Sequence, residues 1–255
     1  MSHPTDPHPT DPQPAQAPRS RGAHPHDPRF FGAEALPILR RATADLGWLL
    51  DRGYAQKASL KLVGDRYDLR QRQREAVNRS ACGPEALAQR LAKRRPPEAL
   101  AGAEIHVDGL NLLTSLEVAL SGGLLLKGTD GVIRDMASMN GNYRKVHESV
   151  PAAALAGAAL EALGARSVVW WLDQPVSNTG RLKAALYALA EAHGWDWQVH
   201  LVPDPDGVLI GGPAPVVSAD SRILDEGPGW FDLVGQVIPT LAHMWLVDLS
   251  AETAG

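Results

Sequence analysis

A small all-helical unit followed by an α/β unit with a mostly parallel sheet is the fold class this sequence predicts, and three observations carry it. Apolar residues recur at helical spacing up to about residue 104, then give way to short β-type runs separated by helical stretches. The charge balance changes at the same place. Residues 29–104 hold 15 basic and 9 acidic side chains, a net of +6, whereas residues 105–255 hold 8 and 17, a net of −9. Ahead of both units, eight of the first 28 residues are proline. The chain has 255 residues, 44% hydrophobic and 21% charged, which excludes wholesale disorder and a fibrous repeat.

Residues 1–28 carry almost no large apolar side chains, so the expectation is a disordered, proline-rich tail that includes His3, His8, His24 and His26. The tail lacks the apolar core of a signal peptide, and no later stretch reaches the ~18 apolar residues of a membrane span. A cytoplasmic protein with no membrane partner is expected. Cys82 is the single cysteine. It cannot form an internal disulfide, and a cysteine-rich zinc module is excluded.

The helical unit, 29–104, is read as four helices. Leu36, Leu39, Leu46, Leu49 and Leu50 share one face, with Gly53 as the stop. Ala55–Val63 forms the second, ended by Gly64. Asp68 caps a third over Leu69–Ser80, and Pro84–Lys93 is the fourth, closed by Pro96 and Pro97. Arg66, Arg70, Arg72, Arg74 and Arg79 cluster on or beside the third helix. Two readings stand: Arg70 and Arg74 contact phosphates, or the arginines pack against the acidic unit.

The α/β unit, 105–245, opens on Ile105–Val107. Strands follow at Ser167–Leu172, Trp197–Val202 and Val216–Val217, with helices at Ala152–Leu163 and Arg181–His193, the latter stopped by Gly194. Residues 246–255 are expected to be a C-terminal tail. In parallel sheets, ligands sit outside the carboxyl ends of the strands. Here acidic residues fall there repeatedly: Asp108 after Val107, Asp173 after Leu172, and Asp220 after Val216-Val217-Ser218-Ala219, with Asp225 five residues on. Any one of them is equally read as a turn former or helix cap. Three converging carboxylates cannot all stay ionised without a cation. An oxygen-only donor set favours Mg²⁺ or Mn²⁺ over zinc.

Asp135 precedes a small, polar run, 136–141, suited to line a cleft, whereas Asp130-Gly131 reads as a turn. Ser177, Asn178 and Thr179 open a helix, where they cap it or present N–H groups to a phosphate. Trp170, Trp171, Trp195 and Trp197 are read first as core. His106 is read as a core histidine, and His147, His193 and His200 have no triad context. The chain has no Gly-x-x-x-x-Gly-Lys-Ser/Thr, Gly-x-Gly-x-x-Gly or Gly-x-Ser-x-Gly run, so the P-loop, dinucleotide and nucleophile-elbow classes lack support.

On Val107-Asp108-Gly109-Leu110-Asn111, the strand ending in Asp173, and Ser218-Ala219-Asp220-Ser221 with Asp225, the segment 105–240 resembles a PIN-like nuclease domain of the NYN branch. The resemblance implies a three-layer sandwich. It also implies that Asp108, Asp173, Asp220 and Asp225 bind divalent metal for phosphodiester hydrolysis. Asn111 would orient the first aspartate or a phosphate, and Glu117 and Asp135 have weaker claims. Residues 30–240 also resemble a prokaryotic family joining a helical domain, with Leu-Leu-Asp-Arg-Gly-Tyr (49–54) and Leu-Val-Gly-Asp-Arg-Tyr (62–67), to such a PIN-like domain.

Two function classes follow. One is a Mg²⁺- or Mn²⁺-dependent nuclease, with RNA as the expected substrate. The other is a non-catalytic nucleic-acid-binding or regulatory module on the same scaffold. A phosphatase of the haloacid-dehalogenase type is disfavoured because Leu110 stands where its second aspartate belongs. The oligomeric state is open, with a homodimer as one expectation.

Overall fold

The computed structural model describes residues 21–137, 148–174, 178–213 and 215–250. Five helices come first: α1 (Asp27–Phe30), α2 (Leu36–Asp51), α3 (Gln56–Arg66), α4 (Gln71–Ser80) and α5 (Pro84–Lys93). Then follow β1 (Glu104–Asp108), α6 (Gly109–Leu120), β2 (Leu124–Lys127), β3 (Ile133–Asp135), α7 (Ser149–Ala162), β4 (Ser167–Asp173), α8 (Thr179–His193) and β5 (Trp197–Val202). The chain continues through α9 (Pro205–Gly211), β6 (Val216–Val217), α10 (Ser221–Glu226), β7 (Trp230–Phe231), α11 (Leu233–Val237) and β8 (Trp245–Asp248). The expected α/β class with a helical N-terminal region is what forms.

The main sheet has the order β5-β4-β1-β6-β7, and every neighbouring pair is parallel. Alternation across its strands sorts the side chains. Ile105, Val107, Val168, Trp170, Leu172 and Val199 enter the larger core with residues of α6, α7, α8 and α11. The opposite face is covered by α9 and α10, around Leu209, Val216 and Ile223. Trp170 and Trp197 are core residues, their rings 5.0 Å apart. His106 is buried, and its Nδ1 accepts from Trp171 Nε1 at 3.1 Å.

A second sheet, β3-β2-β8, lay outside the sequence expectations. It joins β2 antiparallel to β3 and parallel to β8. This sheet is the wall between the two units. Leu125 and Ile133 face the α/β core, whereas Leu124, Leu126, Val247 and Leu249 pack with Leu39, Leu46 and Val77 of the helices. The expected C-terminal tail is therefore corrected: residues 246–248 lie in β8, and Leu249 is fully buried.

The expected N-terminal tail is corrected for 21–28; residues 1–20 lie outside the described residues. Asp27 is fully buried and takes two hydrogen bonds from Arg72, at 2.5 and 2.8 Å. Arg21 Nε donates to the buried carboxylate of Glu117 at 2.5 Å. These buried ion pairs offset the lack of apolar side chains, which composition alone does not reveal.

Two boundaries also move. Gly64 lies inside α3, where its lack of a side chain lets the Arg74 guanidinium cross over it; a Cβ there would sit 2.2 Å from Nη1. Asp68 does not cap α4. It has φ +48° in the preceding turn, and Arg70 is the N-cap.

Gly109 opens α6 directly after Asp108. A Cβ there would meet Leu172 Cδ2 at 2.5 Å and the Trp171 carbonyl oxygen at 3.0 Å. Helix and strand thus touch where the site begins. Gly109→Ala is expected to cost about 1–3 kcal/mol in urea unfolding, the scale of overpacking a filled core. An unchanged midpoint would show that α6 can shift away from β4.

Candidate active site

The chain runs from β1 to β4 and β5 on one side, then returns to β6 and β7 on the other. The point where the order reverses, between β1 and β6, is where open α/β sheets place ligands. Asp108 ends β1 there, Asp173 ends β4, and Asp220 follows β6. Together with Asn111, Asp135, Asp206 and Arg79 they line a cleft of about 290 Å³. A larger hollow, about 450 Å³, is bounded by residues 21–25, Arg72 and Met136. Its described lining has no carboxylate, so the acidic cleft is the chemically equipped one.

Asp108 is 6% exposed. Its Oδ2 accepts from Ser218 Oγ at 2.8 Å, and the Ser218 hydroxyl in turn accepts from the Asp220 N–H at 3.0 Å. Asn111 Oδ1 accepts from the Ala219 N–H at 3.0 Å. The 218–220 loop is thus lashed to β1 and α6. Burial pushes the Asp108 carboxyl up to about 7, aided by the negative charges of Asp206 and Asp220 and opposed by the Ser218 hydrogen bond. Burial likewise raises Asp173, with Asp204 adding to it. Asp206 is raised by burial and then by Asp220, Asp173 and Asp204. The carboxylates feel one another across the cleft.

Asp220 also realises the capping alternative, since its Oδ1 accepts from the N–H groups of Arg222 and Ile223. Asp135 is buried, and its two oxygens accept from Ser115 Oγ at 2.9 Å and the Ala137 N–H at 2.7 Å.

Asp225 is not brought to the cleft. Its carboxylate takes hydrogen bonds from Arg90 at 2.6 and 2.8 Å, and its carbonyl accepts from Lys93. The partner lies 135 residues earlier in the chain, so Asp225 ties α10 to α5 rather than serving as a ligand. Arg74 is also reassigned. Its nitrogens donate to the Leu69 and Lys61 carbonyls and to Asp65, binding α4 to α3. Arg70 is exposed away from the cleft lining. Asn178 stands at the N-cap of α8 with φ +71° and makes no side-chain capping bond; Thr179 is buried, and neither lines the cleft. Ser177, His147 and residues 138–141 lie outside the described residues.

Sequence reading missed Asp206. The signal was present, since Pro203-Asp204-Pro205-Asp206 directly follows β5. Asp204 N-caps α9 by accepting from the Gly207 N–H at 3.1 Å.

Among the described residues, no group of three or more His, Cys, Asp or Glu side chains forms a ready-made metal cage. The donor chemistry nevertheless fits a hard cation. The cleft offers carboxylate oxygens, with a buried carboxyl at its floor that lacks a cationic partner among the described residues. Mg²⁺ is commonly held by one or two carboxylates and otherwise by water.

Fold and cleft together define an α/β protein with an acidic switch-point cleft, preceded by a helical domain docked beside it. Residues 97–236 match the family described as Domain of unknown function (DUF5616), and the chain belongs to that family. Residues 38–93 match the family described as Protein of unknown function (DUF434). An uncharacterized protein of Methanocaldococcus jannaschii is 26% identical over 204 residues, covering 80% of this chain and 98% of the relative. No solved structure matches the chain. Among the described residues, no helix is long and apolar enough to cross a membrane.

Proposed function

We propose that the chain is a divalent-metal-dependent nuclease acting on RNA, with a PIN-like α/β domain of the NYN type. The observation that carries this reading is the buried Asp108 carboxyl, held near 7 at the sheet's switch point by burial and by Asp206 and Asp220. A strand order that grows outwards on both sides of β1, with helices on both faces, supports the PIN-like reading. Asp108, Asp173 and Asp220, with Asp206, would hold Mg²⁺ or Mn²⁺. Such an ion supplies a water of lowered pKa and neutralises charge on a phosphoryl group. Ser218 and Asn111 fix the loop that sets Asp220 opposite Asp108. A cytoplasmic location, where RNA is abundant, would suit this reading.

Purified protein incubated with single-stranded and structured RNA in Mn²⁺ is expected to cleave, and EDTA to abolish cleavage. Asp108→Asn is expected to lower the rate about 10²–10³-fold, the scale of losing one preorganised charge-stabilising group. Asp225→Asn should leave cleavage unchanged, since Asp225 lies outside the cleft. Equal rates in wild type and Asp108→Asn, or cleavage that survives EDTA, would sink the reading.

The lack of a three-residue ligand group among the described residues favours one rival, a non-catalytic RNA-binding module. On that reading RNA is bound but not cut in Mn²⁺, and Asp108→Asn leaves binding intact.

A further inference from the structure

We propose that Arg79, carried by the helical domain, is the substrate-phosphate anchor of the acidic cleft. The inference rests on the nuclease reading and adds a recognition residue from the other unit. Arg79 sits in the last turn of α4, is exposed, and is the only Lys or Arg among the described residues that line the cleft.

Its guanidinium is held by main chain rather than by a charge. Nη1 donates to the Asp135 carbonyl at 3.3 Å and Nη2 to the Ala137 carbonyl at 3.4 Å. Among the described residues no carboxylate oxygen lies within 4.0 Å of it. Arg95 and Arg40 likewise donate to main-chain carbonyls across the units, those of Pro228 and Asp248, but line no part of this cleft, and three other arginines meet carboxylates. Arg90 is closed by Asp130 and Asp225, Arg72 by Asp27, and Arg94 approaches Asp232 at 3.9 Å.

A guanidinium has five N–H donors in a planar fork, and two carbonyls use only part of it. Arg79 is therefore a cation fixed in direction beside a cleft of carboxylates, yet paired with none of them. A phosphodiester resolves that arrangement. Its non-bridging oxygens would accept charge-assisted hydrogen bonds from Arg79, and a cation held by the cleft carboxylates would neutralise its remaining charge. This also gives the helical domain a task at the site of its neighbour.

A purely structural role, tying α4 to the end of β3, is the competing account, and glutamine separates the two. Arg79→Gln keeps an N–H donor for the carbonyls and removes the charge. The full chain would be titrated in Mn²⁺ against a short, fluorescein-labelled, phosphorothioate single-stranded RNA, by anisotropy at several salt concentrations. Arg79→Gln is expected to bind about 10-fold more weakly, with a salt slope smaller by about 0.7–1 and an unchanged melting temperature. Arg79→Lys should retain the slope. Equal affinity and slope in Arg79→Gln, or a wild-type chain that does not bind, overturns the proposal. A wild-type chain that binds but never cleaves unmodified RNA overturns the nuclease reading alone, and the slope still decides the role of Arg79.

Discussion

Asp108→Asn stabilises the cation-free protein at pH 8 by up to about 4 kcal/mol, although it removes the residue placed at the centre of the chemistry. The folded carboxyl titrates at about 7, against 3.8 for an ordinary aspartate. Between those values the folded chain binds more protons than the unfolded one, so stability falls as pH rises. Each tenfold difference in proton affinity between the two states is worth about 1.4 kcal/mol, and the loss is complete above pH 7. Below about pH 3 both states hold the proton almost equally, and wild type and variant should unfold together. Asparagine keeps an oxygen for Ser218 Oγ and has no charge to bury. Urea titrations in EDTA at several pH values would measure this. A wild-type chain whose stability rises from pH 4 to 8 relative to the variant would contradict it. Mn²⁺ should reverse the order, because a ligand that binds only the folded wild type raises its stability.

The second large effect lies at the seam between the units. Arg90 is 5% exposed and joins Asp130 on one side and Asp225 on the other; Asp130 also takes two hydrogen bonds from Arg134, at 2.9 and 2.7 Å. Arg134 Nε holds the Ala219 carbonyl at 2.8 Å, next to Asp220. Arg90→Ala leaves Asp130 with one cation in a buried place and is expected to cost about 3–5 kcal/mol. Asp225→Asn should cost about 1 kcal/mol or less, because the Asp225 side chain is 40% exposed. Comparable losses for the two variants in urea unfolding would show that the network is not organised around Arg90. Through Arg134, Arg90→Ala should also loosen the loop bearing Asp220 and lower the cleavage rate.

What the sequence revealed depended on the range of the interaction. Asp108, Asp173 and Asp220 were legible because strand periodicity locates the strand ends, and the parallel sheet brings those ends to one edge. Asp206 obeyed the same rule but was hidden in a proline-flanked turn. Asp225 looked like Asp220 locally, and only its distant partner Arg90 separates them. Arg74 and Arg79 lie five residues apart on one helix. One folds back on α3 and the other reaches the cleft, a difference set by how α4 docks. The strands β2, β3 and β8 are three or four residues long. Runs that short carry no decisive period, so the wall between the units was invisible until the chain was folded. Part of the +6 charge of the helical unit turns inwards, Arg72 on Asp27 and Arg90 on Asp130 and Asp225. Within the arginine cluster, Arg72 and Arg79 reach main-chain carbonyls of the α/β unit, whereas Arg74 folds back on α3.

The central claim is that the cleft holds a divalent cation through Asp108. Mn²⁺ titrated into the wild-type chain and into Asp108→Asn, with free Mn²⁺ read by electron paramagnetic resonance, tests it most directly. Wild type is expected to remove Mn²⁺ from solution at a saturable site, and Asp108→Asn is not. Equal free Mn²⁺ in both titrations would contradict the claim.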